Sequence, residues 1–379
     1  MSRERGGAAV RDRDRQSWLR GAPPPLWIRA LPVALLIGVC AATLAWGHRL
    51  DIGFLLGAIP PLAVLSYGTA GTAVLGGLVL AALTVPVFHL NDPGNTDLLT
   101  VCFVAALSVG VSFVRSRRDA QLVTERAVAE AAQRAVLPPL PDRVGAVRCA
   151  GLYRAAQRGT LVGGDFFEVR EGPHGVRVAM GDVRGHGLAA VATVTALLGA
   201  FREAVLDQPD PESVAERLDR RLVVDSADVR HSELFATAVL LDFSPDADTV
   251  RIVSCGHPAP VLLRRGTAVA LEVPPCVPLG LGLSGVRPPT GLTVRLRPGD
   301  RLFLASDGVG EARDGNGVFY PLTERLMRLA GDDGVDGTDG DEGPDGLAER
   351  VWADLVRYSP TLDDDVTMLV LRPSPRERH

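Results

Sequence analysis

The sequence contains no lysine, so every basic residue is an arginine. Aromatic residues make up only 5% of the chain, although 46% of the residues are hydrophobic, which indicates an aliphatic core. The formal net charge of -5 argues against a general nucleic-acid-binding protein. No two cysteines form a CxxC pair, and we therefore expect buried, reduced thiols rather than a zinc site or a disulfide. The cysteines are Cys40, Cys102, Cys149, Cys255 and Cys276.

Charged residues are almost missing from the segment 30–114. The four exceptions, Arg49, Asp51, Asp92 and Asp97, lie in two short gaps. Between the gaps are four apolar runs, each about as long as is needed to cross a bilayer core of ~30 Å as a helix. The runs are Ala30–Gly47, Ile52–Tyr67, Thr69–Leu90 and Leu98–Val114. The segment therefore predicts a transmembrane region of about four helices.

The arginines that flank this segment indicate its orientation. Arg20 and Arg29 precede the first run, and Arg115, Arg117 and Arg118 follow the fourth. Because basic residues stay on the cytoplasmic side, we expect both ends of the region in the cytoplasm. This predicts a multi-pass protein of the cytoplasmic membrane with its remaining domain in the cytoplasm. Pro60 and Pro61 are expected to kink the second run.

The domain organisation follows from these shifts in composition. We expect a flexible cytoplasmic tail at 1–29, the membrane region at 30–114, a linker helix at 115–141, a folded domain at 142–372 and a short tail at 373–379. In the linker, Leu122, Ala129 and Val136 recur at seven-residue intervals. This pattern is that of a short coiled-coil seam, which would pair two copies in a homodimer. A solvated spacer helix is the alternative.

The rest of the chain alternates short apolar runs with helical segments, a pattern typical of an α+β sandwich. Strands are predicted at Val147–Ala155, Leu161–Val169, Gly175–Val183, Leu234–Phe243, Thr249–Cys255, Val261–Arg264, Ala268–Val273, Leu292–Leu296, Arg301–Ala305 and Val366–Leu371. Helices are predicted at Leu188–Leu206, Pro211–Val224, Pro321–Leu329 and Gly346–Tyr358. The acidic, glycine-rich segment Gly331–Gly346 is expected to be a disordered loop.

Four carboxylates stand beside predicted strands. Asp165 lies in GGDFF, Asp182 in GDVRGHG, Asp307 in SDG and Asp364 in DDDVT. Glycine beside an aspartate allows the backbone to approach whatever the carboxylate binds. Carboxylates that converge from separate segments are the ligands that Mg²⁺ and Mn²⁺ prefer.

These motifs, in the order GGDFF, GDVRGHG, FATAVLLDF, CGHPAPVLL, PGDRLFLASDG and DDDVTMLVL, resemble the metal-dependent protein phosphatases (PPM, type 2C) in their bacterial SpoIIE-like branch. No single motif is specific, but six in this order make a chance match improbable. The resemblance covers Leu137 to Arg372. It implies two stacked antiparallel sheets flanked by helices. It also implies hydrolysis of phosphoserine or phosphothreonine in a protein substrate, which in this branch is a phosphorylated anti-anti-sigma (STAS-domain) protein.

The resemblance also implies a role for each acidic residue, as part of a site for two Mg²⁺ or Mn²⁺ ions. Asp182 matches the carboxylate that bridges both ions, and the backbone carbonyl of Val183 matches a further ligand. Asp165, Asp307 and Asp364 match the remaining metal ligands, which act in catalysis through metal-bound water. Asp365 matches the position that orients the neighbouring ligand.

Several residues depart from the family pattern. Glu168 stands where many relatives have aspartate, and His186 has a different spacing from the histidine beside the metal aspartate in eukaryotic relatives. His186 is therefore interpreted as a turn residue, and His257 as structural support. Arg184 is equally compatible with phosphate binding and with a solvent-facing loop.

Two other functions fit parts of the sequence. GGDFF is similar to the GGDEF motif of diguanylate cyclases, but Phe167 breaks that pattern and the other motifs stay unexplained. A catalytically inactive membrane sensor or scaffold is the second alternative. It would be expected to lack a metal-binding aspartate, and all four are present.

Overall fold

The computed structural model describes residues 26–46, 53–84, 96–136, 140–154, 163–228, 234–331, 344–362 and 364–374. The chain divides into two compact units between Thr124 and Glu125, inside the predicted linker. Of the predicted loop Gly331–Gly346, residues 332–343 lie outside the described ranges. Residues 1–25 of the predicted tail at 1–29 and residues 375–379 of the predicted tail at 373–379 also lie outside them.

The first unit is helical. Its helices are α1 (Leu26–Trp46), a 3₁₀ helix (Gly53–Ala58), α2 (Ile59–Ser66), α3 (Thr69–Leu83) and the first part of α4 (Thr96–Val136). They pack around a small aliphatic cluster that includes Val39, Leu56, Ile59, Val79 and Val101. Each of the four apolar runs therefore contributes helix to one bundle.

The second apolar run is not one continuous α-helix, as its length had suggested. It changes from the 3₁₀ helix to α2 at Ile59, where the two prolines occupy the first helical positions. Proline is tolerated there because the first turn needs no backbone N–H donor. By length and composition only α1 and α4 in this unit can cross a membrane, and the described parts of the second and third runs form shorter apolar helices.

Helix α4 joins the fourth apolar run and the predicted linker without a break, over 41 residues. The described helix extends to Val136 within the linker predicted at 115–141, and residues 137–139 lie outside the described ranges. The last part of α4, from Glu125 onwards, belongs to the second unit.

The second unit is a four-layer α+β sandwich. Its strands are β1 (Arg143–Val144), β2 (Val147–Arg154), β3 (Asp165–Gly172), β4 (Gly175–Val183), β5 (Ala236–Phe243), β6 (Thr249–Cys255), β7 (Val261–Arg264), β8 (Thr267–Ala270), β9 (Pro275–Cys276), β10 (Leu292–Arg295), β11 (Arg301–Ala305) and β12 (Val366–Pro373). Its helices after α4 are α5 (Leu188–Asp207), α6 (Pro211–Asp228), α7 (Asp307–Gly310), α8 (Leu322–Gly331) and α9 (Pro344–Tyr358).

The strands form two sheets. The first has the order β1-β2-β12-β11-β7-β8, and the second has the order β10-β6-β5-β4-β3. The pairs along both orders are antiparallel, as the family resemblance implied. The short strand β9 is the exception, since it pairs in parallel with β6.

The sequence of β4 is a nearly continuous hydrophobic run because apolar layers cover both of its faces. Val178 and Met180 face the core between the two sheets. Ala179 and Val183 face the layer formed with α5 and α6. A strand covered on both faces needs apolar residues at successive positions. Helices α8 and α9 cover the outer face of the first sheet in the same way.

Candidate active site

Asp165 and Asp182 lie directly opposite each other in the second sheet. Asp165 is the first residue of β3 and pairs with Asp182, the penultimate residue of β4. Directly opposed residues of an antiparallel pair project from the same face of the sheet. The hairpin register therefore sets these two carboxylates side by side.

The glycines before Asp165 are required by close contacts. A Cβ atom on Gly164 would collide with the carbonyl oxygen of Val183, and one on Gly163 would collide with the carboxylate of Asp365. The N–H of Val183 also donates to the carbonyl of Gly164, at 3.1 Å. Glycine at both positions thus lets the β3 entry approach β4 and the segment before β12.

Asp307 and Asp364 come from the first sheet. Asp307 opens the short helix α7 directly after β11, and Asp364 stands two residues before β12. Ser306 joins these segments: its N–H donates to the carbonyl of Thr367 at 2.9 Å, and its Oγ accepts the Thr367 N–H at 3.0 Å. A Cβ on Gly308 would collide with the backbone of Asp365, so this turn also depends on glycine.

Three hydrogen bonds tie the segments together. The Thr367 hydroxyl, on the first sheet, donates to Oδ2 of Asp165, on the second sheet, at 2.5 Å. Oδ2 of Asp365 accepts the Tyr153 hydroxyl at 2.6 Å and the Gly163 N–H at 3.0 Å. The four predicted acidic segments thus meet at one end of the sandwich.

Burial, together with neighbouring negative charge, raises the pKa values of Asp165, Asp182 and Asp307. Burial, followed by the charges of Asp307, Asp364 and Asp365, raises the pKa of Asp182 to about 7. Burial also raises the pKa of Asp165 well above its usual range, and the Thr367 hydrogen bond opposes part of that rise. For Asp307, burial and then Glu311 raise the pKa. The site therefore holds more negative charge than its own residues compensate.

A divalent metal fits this site in charge and in donor type. All its side-chain donors are oxygens, which Mg²⁺ and Mn²⁺ prefer. Within the described ranges, however, no three His, Cys, Asp or Glu residues form a ready ligand cluster. Two of the predicted ligands accept hydrogen bonds within the chain: Asp165 accepts one from the Thr367 hydroxyl, and the exposed Asp364 accepts one from the backbone N–H of Asp365 at 2.8 Å.

The residues that depart from the family pattern make separate contacts. Glu168 is buried and accepts hydrogen bonds from Nε of Arg170 and of Arg202, at 2.6 and 2.8 Å. It therefore binds β3 to α5. Arg184 is exposed with its guanidinium over the ring of Phe235, at 5.2 Å. His186 is exposed as well.

His257 is buried and contacts a residue that pairs with Asp182. Its Nδ1 lies 3.1 Å from the hydroxyl of Thr237, and Thr237 pairs with Asp182 in the sheet. Burial lowers the pKa of His257 to about 4, so its ring is neutral at neutral pH.

Sequence reasoning missed three residues that fix the acidic segments: Tyr153 and Thr367 donate to carboxylates, and Ser306 bonds to the backbone of Thr367. Thr367 carried a usable signal, because it follows Asp365 by two positions and alternate residues of a strand share a face. Tyr153 carried none, since its partner Asp365 is 212 positions away.

Comparison with known protein families gives a match over most of the second unit. The family model described as Stage II sporulation protein E (SpoIIE) matches residues 172–374, more than half of the chain. No curated protein matches the sequence at a significant level.

Two of the solved structures that are similar to the chain have TM-scores above 0.5. One contains the RsbU and RsbW domains of Rv1364c from Mycobacterium tuberculosis, with 23% identity, a TM-score of 0.51, and coverage of 62% of this chain and 63% of that one. The other is the SiaA-PP2C domain of Pseudomonas aeruginosa, with 20% identity, a TM-score of 0.52, and coverage of 67% and 98%. The chain thus spans less than two thirds of the Mycobacterium protein's structure. At these identities the likeness shows the fold, and together with the family match it shows that the chain belongs to the SpoIIE family and carries its PP2C-type (PPM) domain.

Proposed function

We propose that the chain is a metal-dependent protein-serine/threonine phosphatase of the PPM type. The observation that carries this proposal is the meeting of four aspartates from two sheets. Asp165 and Asp182 are paired in one sheet, and the charges of Asp307 and Asp364, which flank strands of the other, act on Asp182. A concentration of carboxylates, three of which have raised pKa values, is typical of functional sites.

Asp165, Asp182, Asp307, Asp364 and the carbonyl of Val183 would hold two Mg²⁺ or Mn²⁺ ions. When bound, such ions supply charge neutralisation for a phosphoryl group and activation of a water nucleophile. The chain's own residues orient the ligands: Thr367 holds Asp165, and Tyr153 with Gly163 holds Asp365. The family match favours this function over the nucleotide cyclase suggested by GGDFF.

We also propose that the segment 30–114 anchors the protein in the cytoplasmic membrane, with the catalytic domain 142–372 in the cytoplasm. The helices of the first unit leave large apolar side chains exposed, among them Ile37, Leu44, Val74, Leu78 and Phe103. Exposed apolar surface on this scale is unfavourable in water and is expected of a lipid-facing bundle.

The substrate that we propose is a phosphorylated anti-anti-sigma regulator of a partner-switching circuit. This part of the proposal rests on the branch of the family to which the motifs belong. A homodimer formed through the linker helix is proposed on the exposed apolar residues Leu122, Val123 and Val128 of α4.

The test is a phosphatase assay on the detergent-solubilised full chain. Substrates are a generic aryl phosphate and a phosphorylated STAS-domain protein. We expect activity with Mn²⁺ or Mg²⁺ and none in EDTA. Asp182→Asn keeps the size of the side chain but removes its charge, so turnover should fall by about two to four decades, equivalent to roughly 3–5 kcal/mol.

The matched control is Asp246→Asn, an exposed residue in the turn after β5, which should leave turnover unchanged. Asp307→Asn and Asp364→Asn should resemble Asp182→Asn, and double variants should lose little more because the site acts as a unit. Full activity in EDTA would contradict the metal mechanism. A wild-type chain that hydrolyses neither substrate would instead support the inactive scaffold.

A further inference from the structure

Two of the reduced cysteines lie side by side on neighbouring strands, away from the acidic site. Cys255 ends β6 and Cys276 ends β9, and the two are directly paired in the parallel register of these strands. Paired strands run about 4.7–4.9 Å apart. This spacing lies within the Cα separation of roughly 4.4–6.8 Å that a disulfide requires. Both side chains contact the same apolar layer between the second sheet and helices α5 and α6.

The two thiols differ in exposure and in hydrogen bonding. Cys255 is buried, at 1% exposure, whereas Cys276 is partly exposed. Sγ of Cys276 accepts the backbone N–H of Thr290, at 3.3 Å. The hydrogen bond from the Cys255 thiol lowers the pKa of Cys276 to about 6 and is the largest cause of the raised pKa of Cys255.

The charged groups that face the pair come from two elements. Helix α6 presents Glu212, which opposes the lowered pKa of Cys276, and Asp219, which adds to the raised pKa of Cys255. Arg251 on β6 holds Oε1 of Glu212, at 2.7 Å from its guanidinium. The partly exposed Cys276 sulfur is therefore the nucleophile of the pair. The buried Cys255 sulfur is the group that attacks Cys276 after Cys276 has been oxidised.

We propose that Cys255 and Cys276 form a redox modification site that closes to a reversible disulfide when the protein meets a hydroperoxide. The Cys276 thiolate attacks the terminal peroxide oxygen, the O–O bond breaks, and a sulfenic acid forms with release of hydroxide from hydrogen peroxide, or of alkoxide from an organic hydroperoxide. The sulfur of Cys255 then attacks the Cys276 sulfur. The S–S bond forms as the S–O bond breaks, and the proton of Cys255 leaves with the second hydroxide as water. The two sulfurs together lose two electrons, which reduce the peroxide; a dithiol reverses the step.

The position of this disulfide gives it a route to the acidic site. Cys255 precedes Gly256 and His257, and the His257 ring contacts Thr237, which pairs with Asp182. Closing the bond would fix the strand end that carries His257. Formation of the disulfide itself is independent of the proposed phosphatase activity, so each is tested without the other.

The test treats the full chain in detergent with hydrogen peroxide under native conditions. Remaining thiols are then alkylated in denaturant, and tryptic peptides are identified by mass spectrometry. We expect the peptides 252–264 and 266–295, which contain the two cysteines, to become linked and to separate again after dithiothreitol. Cys149 is the internal reference, because it is buried and burial raises its pKa to about 12. It should stay reduced.

Two variants separate the steps. In Cys276→Ser no linked peptide should form and Cys255 should stay reduced. In Cys255→Ala oxidation should stop at a Cys276 sulfenic acid, which dimedone captures. Alkylation of wild-type Cys276 by iodoacetamide should follow a thiolate with a midpoint near pH 6 and, at pH 7, should exceed that of Cys149 by more than tenfold.

Three results would overturn the proposal. The first is a linked peptide that appears only after unfolding, and the second is a Cys276 that oxidises in the wild type without linking to Cys255. The third is oxidation of Cys149 at the rate of Cys276. Because these readings come from the wild-type chain, they decide the matter even if a cysteine variant fails to fold.

Discussion

The carboxylate of Asp182 is part of the acidic site, and without a cation its charge lowers the free energy of unfolding. Its carboxylate is half-buried beside three other carboxylates, and these conditions raise its pKa to about 7. In the unfolded chain the same group is solvated and ionises near its usual value of about 3.9. Without a cation, ionisation of Asp182 therefore costs free energy in the folded state alone.

We predict that Asp182→Asn stabilises the protein in EDTA while it removes activity. A carboxyl group whose pKa is raised by folding adds stability below its unfolded pKa, and that stability is lost as the pH rises through the folded value. The gain in the variant should thus be absent near pH 4 and complete above pH 7. We expect at most about 4 kcal/mol, because about three pKa units separate the two states, or at most about 8–16 °C in Tm, measured by thermal unfolding of the full chain between pH 4 and pH 8.

Asp246→Asn is again the control, because this side chain is exposed and its removal should leave Tm unchanged at every pH. A lower Tm for Asp182→Asn at pH 8 would mean that the carboxylate is stabilised rather than repelled in the folded state. The site would then lack the excess negative charge on which the metal proposal depends.

Single elements differ in how well the sequence predicts them. β4, β6, β7 and β11 begin and end where their apolar runs do, because each run is bounded by turn residues or charges. β3 is displaced: the run suggested a start at Leu161, but Gly163 and Gly164 precede the strand, and pairing with β4 extends it to Gly172. β1 and β9 have two residues each and exist only through their partners, so no local pattern predicts them.

The acidic site also has features that local sequence predicts and features that depend on distant residues. The order of the motifs identified the aspartates, and local glycines indicated close backbone approach. The hydrogen bonds that fix the aspartates could not be read from the chain, because they join positions such as Thr367 and Asp165 that lie 202 residues apart. The pairing of β3 with β4, and of Cys255 with Cys276, likewise depends on sheet register.

The linker seam also takes a different form in the structure from the one that its heptad spacing suggested. Ala129 is buried against Val191 of α5, and Val136 packs into the apolar layer beneath the second sheet. Both residues therefore pack within the second unit of the same chain. Leu122 stays exposed at 43%, and so do Val123 and Val128.

We predict that the two groups of linker residues have separable effects. Leu122→Gln with Val128→Gln should weaken self-association by removing exposed apolar surface, and should leave Tm unchanged. Val136→Asn should lower Tm, by about 1–3 kcal/mol in unfolding free energy, because it places an amide in a packed apolar layer. Light scattering of the solubilised chain measures the first effect and thermal unfolding the second. Unchanged association in the double variant would leave α4 a spacer between the two units.

At the scale of the whole molecule, the question is whether all four apolar runs cross the membrane. α3 has 15 described residues, which span about 22 Å as a helix and fall short of a bilayer core of ~30 Å. The sequence continues apolar beyond Leu83, up to Leu90. Length alone therefore leaves two arrangements, a four-span bundle and a re-entrant pair formed by α2 and α3.

Polar contacts inside the first unit favour four spans. The turn between α2 and α3 lies beside the start of α1, because Ser66 Oγ donates to the Ile28 carbonyl at 3.0 Å and the Tyr67 hydroxyl donates to the Arg29 carbonyl at 2.6 Å. The same turn lies near the basic end of the fourth run, since Arg115 donates to the Val64 carbonyl at 2.9 Å. From the positive-inside rule, we expect Arg29 and Arg115 to lie on the cytoplasmic side. The turn should therefore reach the cytoplasm too.

We predict that reporter fusions after Arg20, Asp51, Asn95 and Asp119 read inside, outside, outside and inside. These four positions cannot separate the two arrangements, because a re-entrant pair gives the same pattern. A fifth fusion after Gly68, in the α2–α3 turn, does so. It should read inside if α2 and α3 cross the bilayer, and it would not read inside if they only dip into it from outside. A fusion after Asp119 that reads outside would contradict both arrangements and would separate the catalytic domain from any cytoplasmic phosphoprotein.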